Sequence, residues 1–494
     1  MKVAIIGYGI SGASILKELI DSDSHNHIDE IHVFEKTNNI ATGYAYQEDD
    51  LSLLMNSYST RLSLNDQDPN EYVNWLQDNY PQYAQDPFSP RPIFGKYLQD
   101  KFAHYIDHNK VTSHQDEVID LKLKELSEDT SESNAYHFTI ITQDNTQYND
   151  FDYVFMSIGH PPYADHYDLS DYPGYIHTPF PISKVFDDIE SDQSVGVIGS
   201  GLTGIDIMYY LQTKKDLEKP TSFYIRHEPF TNVKNELYDG ELQISFDKSW
   251  IVQQQSQSGQ SIPLQVMWKQ LLEDMETNDV DLMEVIHNFQ NGSLAEIRQQ
   301  LDNVPLQLQK VQRYVGLLTE YLPDLFMALS PQDRQLFNDK YMPFFEHFRT
   351  QFPAIKLQEI VSWIDQGKVR IISQLEDILV TDQHFEMINT EGLTYEEDVL
   401  VNATGFQMNL QQAGKDHAFI GNIYQDEIIQ QNPLGGILVT WPIAHPLSPR
   451  YGELHQLYLT GFWIFKTQFG NNNAQMTARY GRQVAKDLLK HIKH

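Results

Sequence analysis

Two glycine turns constrain this chain more than any other feature. Val3–Ile6 is a short apolar run that enters Gly7-Tyr8-Gly9-Ile10-Ser11-Gly12, and Ser194–Ile198 enters Gly199-Ser200-Gly201-Leu202-Thr203-Gly204. Both are G-x-G-x-x-G, and both are followed by apolar residues at helical spacing: Ile15, Leu16, Leu19 and Ile20 after the first, Ile205, Met208, Tyr209 and Leu211 after the second. A second pattern repeats with them. Asp152-Tyr-Val-Phe-Met-Ser-Ile-Gly159 and Asp398-Val-Leu-Val-Asn-Ala-Thr-Gly405 share D-x-φ-φ-φ-x-x-G, with Asp and Gly separated by 159 − 152 = 7 and 405 − 398 = 7 residues. The chain therefore holds a weak internal repeat, each copy opening on a glycine turn and closing on a strand that ends in Gly.

The copies differ in length. The first runs 159 − 7 = 152 residues and the second 405 − 199 = 206, so the second needs an insertion. Residues about 235–350 supply it. The region is Gln-rich, with Leu301, Val304, Leu308, Val311, Val315 and Leu318 at helical spacing and an aromatic group at Tyr341, Phe344, Phe345 and Phe348. These observations predict an α/β chain of two nested Rossmann-like dinucleotide-binding domains with a mostly helical insertion. The expected boundaries are 1–165 plus 396–494 for the first domain and 190–395 for the second.

The chemistry of such a turn follows from its geometry. The first Gly permits the tight turn, the second lets a pyrophosphate approach the backbone, and the third allows close helix–strand packing. The phosphates then meet free N–H groups at the helix N-terminus. After the first turn, Ile31–Phe34 predicts the next strand and ends at Glu35, 35 − 7 = 28 residues on. A carboxylate there accepts hydrogen bonds from ribose hydroxyls and disfavours a 2′-phosphate. After the second turn, Ser222–Ile225 ends at Arg226, with offset 226 − 199 = 27. A guanidinium pairs well with a 2′-phosphate, so the second site is expected to prefer NADP, with His227 as a helper.

Composition closes off other chemistries. The chain has no cysteine, which removes disulfide scaffolds, thiolate zinc sites, iron–sulfur clusters and cysteine nucleophiles. With 35 Lys plus Arg against 69 Asp plus Glu, the formal charge of −34 repels phosphate backbones and anionic lipid, so neither nucleic acid nor membrane is an expected partner. The 40% hydrophobic content is that of a globular chain. No stretch approaches the roughly 18–20 apolar residues of a membrane span, and a soluble cytoplasmic protein is expected. H-E-x-x-H, G-x-S-x-G and Walker A motifs are absent. His104 and His108 are spaced i, i+4 on an expected helix without a third ligand, so they are read as structural and no metal is assigned. The acidic run at Glu125–Glu132 is read as an exposed loop. Arg349 is a candidate for a substrate carboxylate or, equally, for a surface ion pair.

Further segments carry a family resemblance: Gly43-Tyr-Ala-Tyr46, Leu54-Met-Asn56, Trp75-Leu76, Pro90-Arg-Pro-Ile-Phe-Gly95-Lys-Tyr97-Leu98, Ile158-Gly-His-Pro-Pro162, His347-Phe-Arg349 with Phe352-Pro353, Gly367-Lys-Val-Arg370, Leu459-Thr-Gly461 and Asn471–Arg479. Taken in order they resemble the FAD-NAD(P)-binding protein family, which is similar to flavin-dependent monooxygenases within the two-dinucleotide-binding flavoproteins. The resemblance implies FAD at the first site and NADPH at the second. It would give Gly7, Gly9, Gly12, Glu35 and Lys36 to FAD, and Gly199, Gly201, Thr203, Gly204 and Arg226 to NADPH. Gly159, Thr404, Gly405 and Gly461 would lie near the flavin or at domain crossovers. Asn56 would be the catalytic residue, orienting nicotinamide or an oxygen species. One departure stands out. The monooxygenase signature F-x-G-x-x-x-H appears as Tyr172-Pro-Gly174-Tyr-Ile-His177, with His three residues after Gly instead of four.

The favoured function is thus an FAD- and NADPH-dependent oxidoreductase, monooxygenase-like, with a small-molecule substrate and O2 as partners. An alternative keeps the cofactors without oxygen insertion, as an NAD(P)H oxidase or a reductase of a small acceptor. A third is a non-catalytic flavin or nucleotide sensor. Disulfide-reductase relatives pass electrons through a cysteine pair beside the flavin. This chain cannot do so.

Overall fold

The computed structural model describes residues 1–125, 136–227, 229–234, 238–381, 384–469 and 473–492. Most of the acidic run, from residue 126 on, and residues 471–472 lie outside these, as does the Phe344 side chain. The chain divides into two compact units, Met1–Pro162 with Phe406–His494, and Tyr163–Gly405.

The first unit is built on a parallel five-stranded sheet. Its order is Leu457–Leu459, Tyr153–Met156, Lys2–Ile6, Glu30–Phe34, Val111–His114. The central strand, Lys-Val-Ala-Ile-Ile, is apolar on both faces because both are covered, and Val3, Ala4 and Ile5 are fully buried. Helix Ile10–Asp21 leaves the first glycine turn and packs on helix Ala474–His491. Gly481 permits the close approach, since a Cβ there would stand 2.8 Å from the Ser11 carbonyl oxygen. Between strands Val111–His114 and Tyr153–Met156 the chain makes an antiparallel meander, Val118–Glu125, Tyr136–Thr142 and Gln147–Phe151. The segment holding His104 is a short 3₁₀ turn, Ala103–Asp107, that puts His108 past its end, so the expected helical pairing of the two imidazoles does not form.

The second unit repeats this plan. Its parallel sheet runs Val369–Ile372, Thr221–Tyr224, Val195–Ile198, Val399–Asn402, Tyr175–Ile176. A meander of Leu375–Val380, Phe385–Asn389 and Thr394–Glu397 precedes strand Val399–Asn402, as the first unit's meander precedes Tyr153–Met156. This corrects the expected boundary: Val399–Asn402 pairs with Val195–Ile198, so residues 396–405 belong with the second unit and not the first. Eight helices occupy the insertion among the described residues, from Lys248–Ser258 to Met342–Arg349. The apolar series from Leu301 is interrupted at Pro305, which starts a new helix, Leu306–Leu318, burying Leu308, Val311, Tyr314 and Leu318. Phe348 is buried, as a core role for that aromatic group requires. Arg349 pairs with Glu346, 2.8 Å away on the same helix.

The D-x-φ-φ-φ-x-x-G repeat has a physical basis. Asp152 accepts from the Lys2 backbone N–H at 2.7 Å, and Asp398 from the Ser194 N–H at 2.7 Å. In return the Asp152 N–H donates to the Lys2 carbonyl and the Asp398 N–H to the Ser194 carbonyl. Each Asp clasps the start of its own fingerprint strand and fixes the register of the two strands. Among the described residues no helix is long and apolar enough to cross a membrane.

Candidate cofactor sites

Parallel sheets of this order bind ligands outside the carboxyl ends of their strands. In the first unit the carboxyl end of the central strand is Gly7, at φ +91°, where a Cβ would stand 2.1 Å from the Ser157 carbonyl oxygen. Gly12 is equally closed, its Cβ position 2.0 Å from the Gly7 oxygen. Gly9 differs: its nearest neighbour would be the Gly43 Cα at 3.4 Å. Helix Ile10–Asp21 starts from Gly9 with no side chain capping it. Its first N–H groups stay available to an anion. The two adjoining strands end in Gly159 and Gly461, next to each other, and the Ser157 and Thr460 hydroxyls hydrogen bond at 2.8 Å just beneath.

Glu35 stands beside this loop. One carboxylate oxygen accepts from the Tyr8 N–H at 2.9 Å, and the other from the Thr37 N–H and hydroxyl at 3.0 and 2.9 Å. A carboxylate has about four acceptor positions, so roughly one remains for a ribose hydroxyl. Lys36 turns outward and pairs with Glu117 at 3.2 Å. Asn56 is half-buried, directly after the segment in which Met55 N–H bonds the Ser89 carbonyl. The family segments assemble around the same loop: Gly43 against Gly9, and Gly95 with its Cβ position 2.1 Å from the Tyr46 oxygen.

Four aromatic rings follow four glycines in sequence and meet in this unit: Tyr44, His160, Phe406 and Phe462. His160 lies 5.9 Å from Tyr44, 5.1 Å from Phe406 and 5.3 Å from Phe462, centroid to centroid. Burial among them pushes its pKa down to about 4, so the imidazole is neutral at physiological pH. All four rings remain partly exposed. Sequence reasoning overlooked this group; its signal was the Gly–aromatic dipeptide, which occurs six times, Gly7-Tyr8 and Gly174-Tyr175 being the two outside the group.

The second unit reproduces the cradle. At Gly199 (φ +100°) a Cβ would lie 2.7 Å from the Ala403 oxygen, and at Gly204 it would lie 2.2 Å from the Gly199 oxygen. Gly201 has nothing within 4 Å, and helix Leu202–Lys214 starts from it without a side-chain cap, with Thr203 in its first turn. Arg226 is exposed just past strand Thr221–Tyr224 and makes no hydrogen bond or ion pair among the described residues. Gly405 faces open space. The Thr404 N–H and hydroxyl bond the Asn402 side chain, whose amide donates to the Ala164 and His177 carbonyls at 2.9 and 3.2 Å. Asn402 is fully buried and ties three segments at this edge. It too was overlooked, although a lone amide in the apolar run Val-Leu-Val-Asn was visible. The altered signature at Tyr172–His177 forms the edge strand, with the Leu400 N–H bonded to the Gly174 carbonyl.

Both cradles fit a dinucleotide: an open glycine, an uncapped helix and a polar residue at the next strand end. Comparison with known proteins agrees with that fit. Residues 4–161 match the family described as FAD-NAD(P)-binding. No curated protein matches the chain. Among solved structures it is similar to the FAD-bound cadaverine monooxygenase of desferrioxamine biosynthesis from Erwinia amylovora. Identity is 14%, 99% of this chain and 94% of the other are covered, and the TM-score is 0.61. It is also similar to the ornithine hydroxylase of Pseudomonas aeruginosa, at 11% identity, 99% coverage of both chains and TM-score 0.60. A bacillithiol disulfide reductase from Staphylococcus aureus matches at 13% identity, 99% and 98% coverage and TM-score 0.51. The expected α/β fold is therefore borne out, and residues 4–161 match the family described as FAD-NAD(P)-binding.

Proposed function

We propose that the protein is an FAD- and NADPH-dependent oxidoreductase, monooxygenase-like, acting on a small molecule. One observation carries the cofactor assignment. The same cradle occurs twice, and the residue ending its second strand is Glu35 in one copy and an exposed guanidinium, Arg226, in the other. The carboxylate suits an unphosphorylated ribose, and the guanidinium suits the 2′-phosphate of NADPH. FAD, when bound, supplies hydride acceptance from NADPH and the reaction with O2. The chain's part is to hold pyrophosphates on the N–H groups after Gly9 and Gly201 and to keep water from the glycine edge with the Tyr44, His160, Phe406 and Phe462 rings. The neutral His160 imidazole offers a hydrogen-bonding group within that apolar wall. The structural likeness to a cadaverine monooxygenase and an ornithine hydroxylase supports a small amine as the substrate class.

A second reading, reduction of a small acceptor without oxygen insertion, is favoured by the altered Tyr172–His177 signature and by the shared fold with a disulfide reductase. The two separate in one assay. With cadaverine, ornithine or lysine present, the monooxygenase consumes one NADPH, one proton and one O2 for each amine N-hydroxylated, releasing NADP+ and water. Release of one peroxide per NADPH regardless of amine would select the oxidase reading. The cofactor choice is tested by Arg226→Ala. Losing charge-assisted hydrogen bonds worth about 1.5–3 kcal/mol weakens NADPH roughly 10–100-fold while leaving NADH nearly unchanged. Equal effects on both would refute the assignment.

A further inference from the structure

The first unit holds a second group of chemically capable side chains, at the opposite end of its sheet from the glycines. Glu453 and His455 immediately precede strand Leu457–Leu459, so they sit at its amino end, whereas Gly461 follows its carboxyl end. His445, Glu453 and His455 each offer one ligand-type atom, and these atoms lie within 4.8 Å of one another. The rings of His445 and His455 are 5.4 Å apart and nearly perpendicular. His455 Nδ1 is 3.5 Å from Glu453 Oε1, and His445 Nε2 is 4.0 Å from Asp487 Oδ2 on helix Ala474–His491.

These separations are too long for hydrogen bonds. They are close to those of ligands sharing an ion, since two ligands about 2.0–2.2 Å from one tetrahedral zinc stand roughly 3.3–3.5 Å apart. His445 carries a further mark of a ligand. Its Nδ1–H donates to the Leu457 carbonyl at 3.0 Å, which fixes the tautomer and leaves the lone pair on Nε2. Metal-bound histidines are oriented in this way by a carbonyl or carboxylate on the other ring nitrogen. Its side chain is 8% exposed, so this ligand is pre-positioned, whereas Asp487 lies outside the group and accepts from the Tyr458 hydroxyl at 3.3 Å. The other two, Glu453 at 36% and His455 at 72%, are free to close onto an ion.

We propose that His445, Glu453 and His455 form a binding site for a divalent transition-metal ion, with zinc as the ion their chemistry suits. Two imidazoles and a carboxylate match zinc, whereas magnesium and calcium take oxygen ligands. Water would take the fourth position of the tetrahedron. The ion would clamp His445 to the segment 453–455.

The test uses full-length protein dialysed against EDTA and titrated with cobalt(II) as an optical probe of tetrahedral geometry, then with zinc. The expected result is saturable visible d–d absorption that one equivalent of zinc abolishes, and a melting temperature raised by zinc. His455→Ala and Glu453→Gln alter surface side chains and leave the fold intact. Each should weaken zinc by more than the about 10–100-fold that loss of an outer-sphere partner costs, and should abolish the zinc-dependent rise in melting temperature. His445→Ala should behave likewise. Absence of saturable binding in the wild type would overturn the proposal. So would unchanged binding in the His455 and Glu453 variants, including binding that disappears instead in His384→Ala, the histidine grouped with Glu386 and Glu396 in the second unit.

Discussion

At the residue scale, glycines that look identical in sequence do different work. Gly204 sits where any side chain meets backbone, its Cβ position 2.2 Å from the Gly199 oxygen, so it is needed for the fold. Gly201 has open space around it and φ −67°, a conformation that any residue adopts. Its lack of a side chain serves only an incoming phosphate. Gly201→Ala is therefore expected to leave the melting temperature unchanged and to raise KM for NADPH by at least tenfold, because the methyl group occupies the approach to the helix N-terminus. Gly204→Ala is expected to lower the melting temperature outright. Thermal melts and steady-state kinetics on the two variants decide the matter, and a destabilised Gly201→Ala or a stable Gly204→Ala would contradict it. The sequence spacing named both residues, but the division between ligand space and packing space depends on how the turn folds back, which sets the Gly199 carbonyl against Gly204 and leaves Gly201 open.

At the scale of elements, the clasp between Asp398 and the start of strand Val195–Ile198 joins two strands that the sequence keeps far apart. Burial raises the Asp398 pKa, but the Ser194 N–H and hydroxyl and the Lys219 ammonium outweigh it and hold the carboxyl below its ordinary 3.8. The sign follows by linkage. A depressed folded-state pKa gives stability that is present above the unfolded value and lost as pH falls through the folded one. Asp398→Asn is expected to cost about 1 kcal/mol at neutral pH, a value held low because the carboxylate is partly exposed. The gap between variant and wild type should shrink in acid below pH 3.8. Denaturant melts at pH 7 and at the lowest pH where both fold would expose a pH-independent gap, which is the failing result. The same clasp shows what was legible. Glycine turns, strands and the insertion were readable because their signals are local. The assignment of 396–405 was not, because which sheet a strand joins is settled by partners distant in sequence. The six Gly–aromatic dipeptides were likewise in plain view, while the convergence of four of them at His160 is a product of topology.

At the scale of the whole molecule, the charge of −34 sets conditions that no single contact removes. Pairs such as Lys36–Glu117 and Lys219–Asp398 lie at the surface, where each contributes at most about 1 kcal/mol. With 69 acidic side chains against 35 basic ones, more than thirty carboxylates have no basic partner to match them. Folding gathers them onto one surface, and their mutual repulsion opposes the compact state. That repulsion acts over a Debye length of about 30 Å at 0.01 M salt and about 8 Å at 0.15 M. Sodium chloride is therefore expected to raise the melting temperature, with most of the rise between about 10 and 150 mM, where the screening length contracts to the spacing of neighbouring surface charges. If surface ion pairs dominated, salt would weaken them and the melting temperature would fall over the same range. A titration of melting temperature against sodium chloride distinguishes the two by sign alone. A fall, or no change, would mean that the acidic excess is spread thinly enough for local pairing to govern stability.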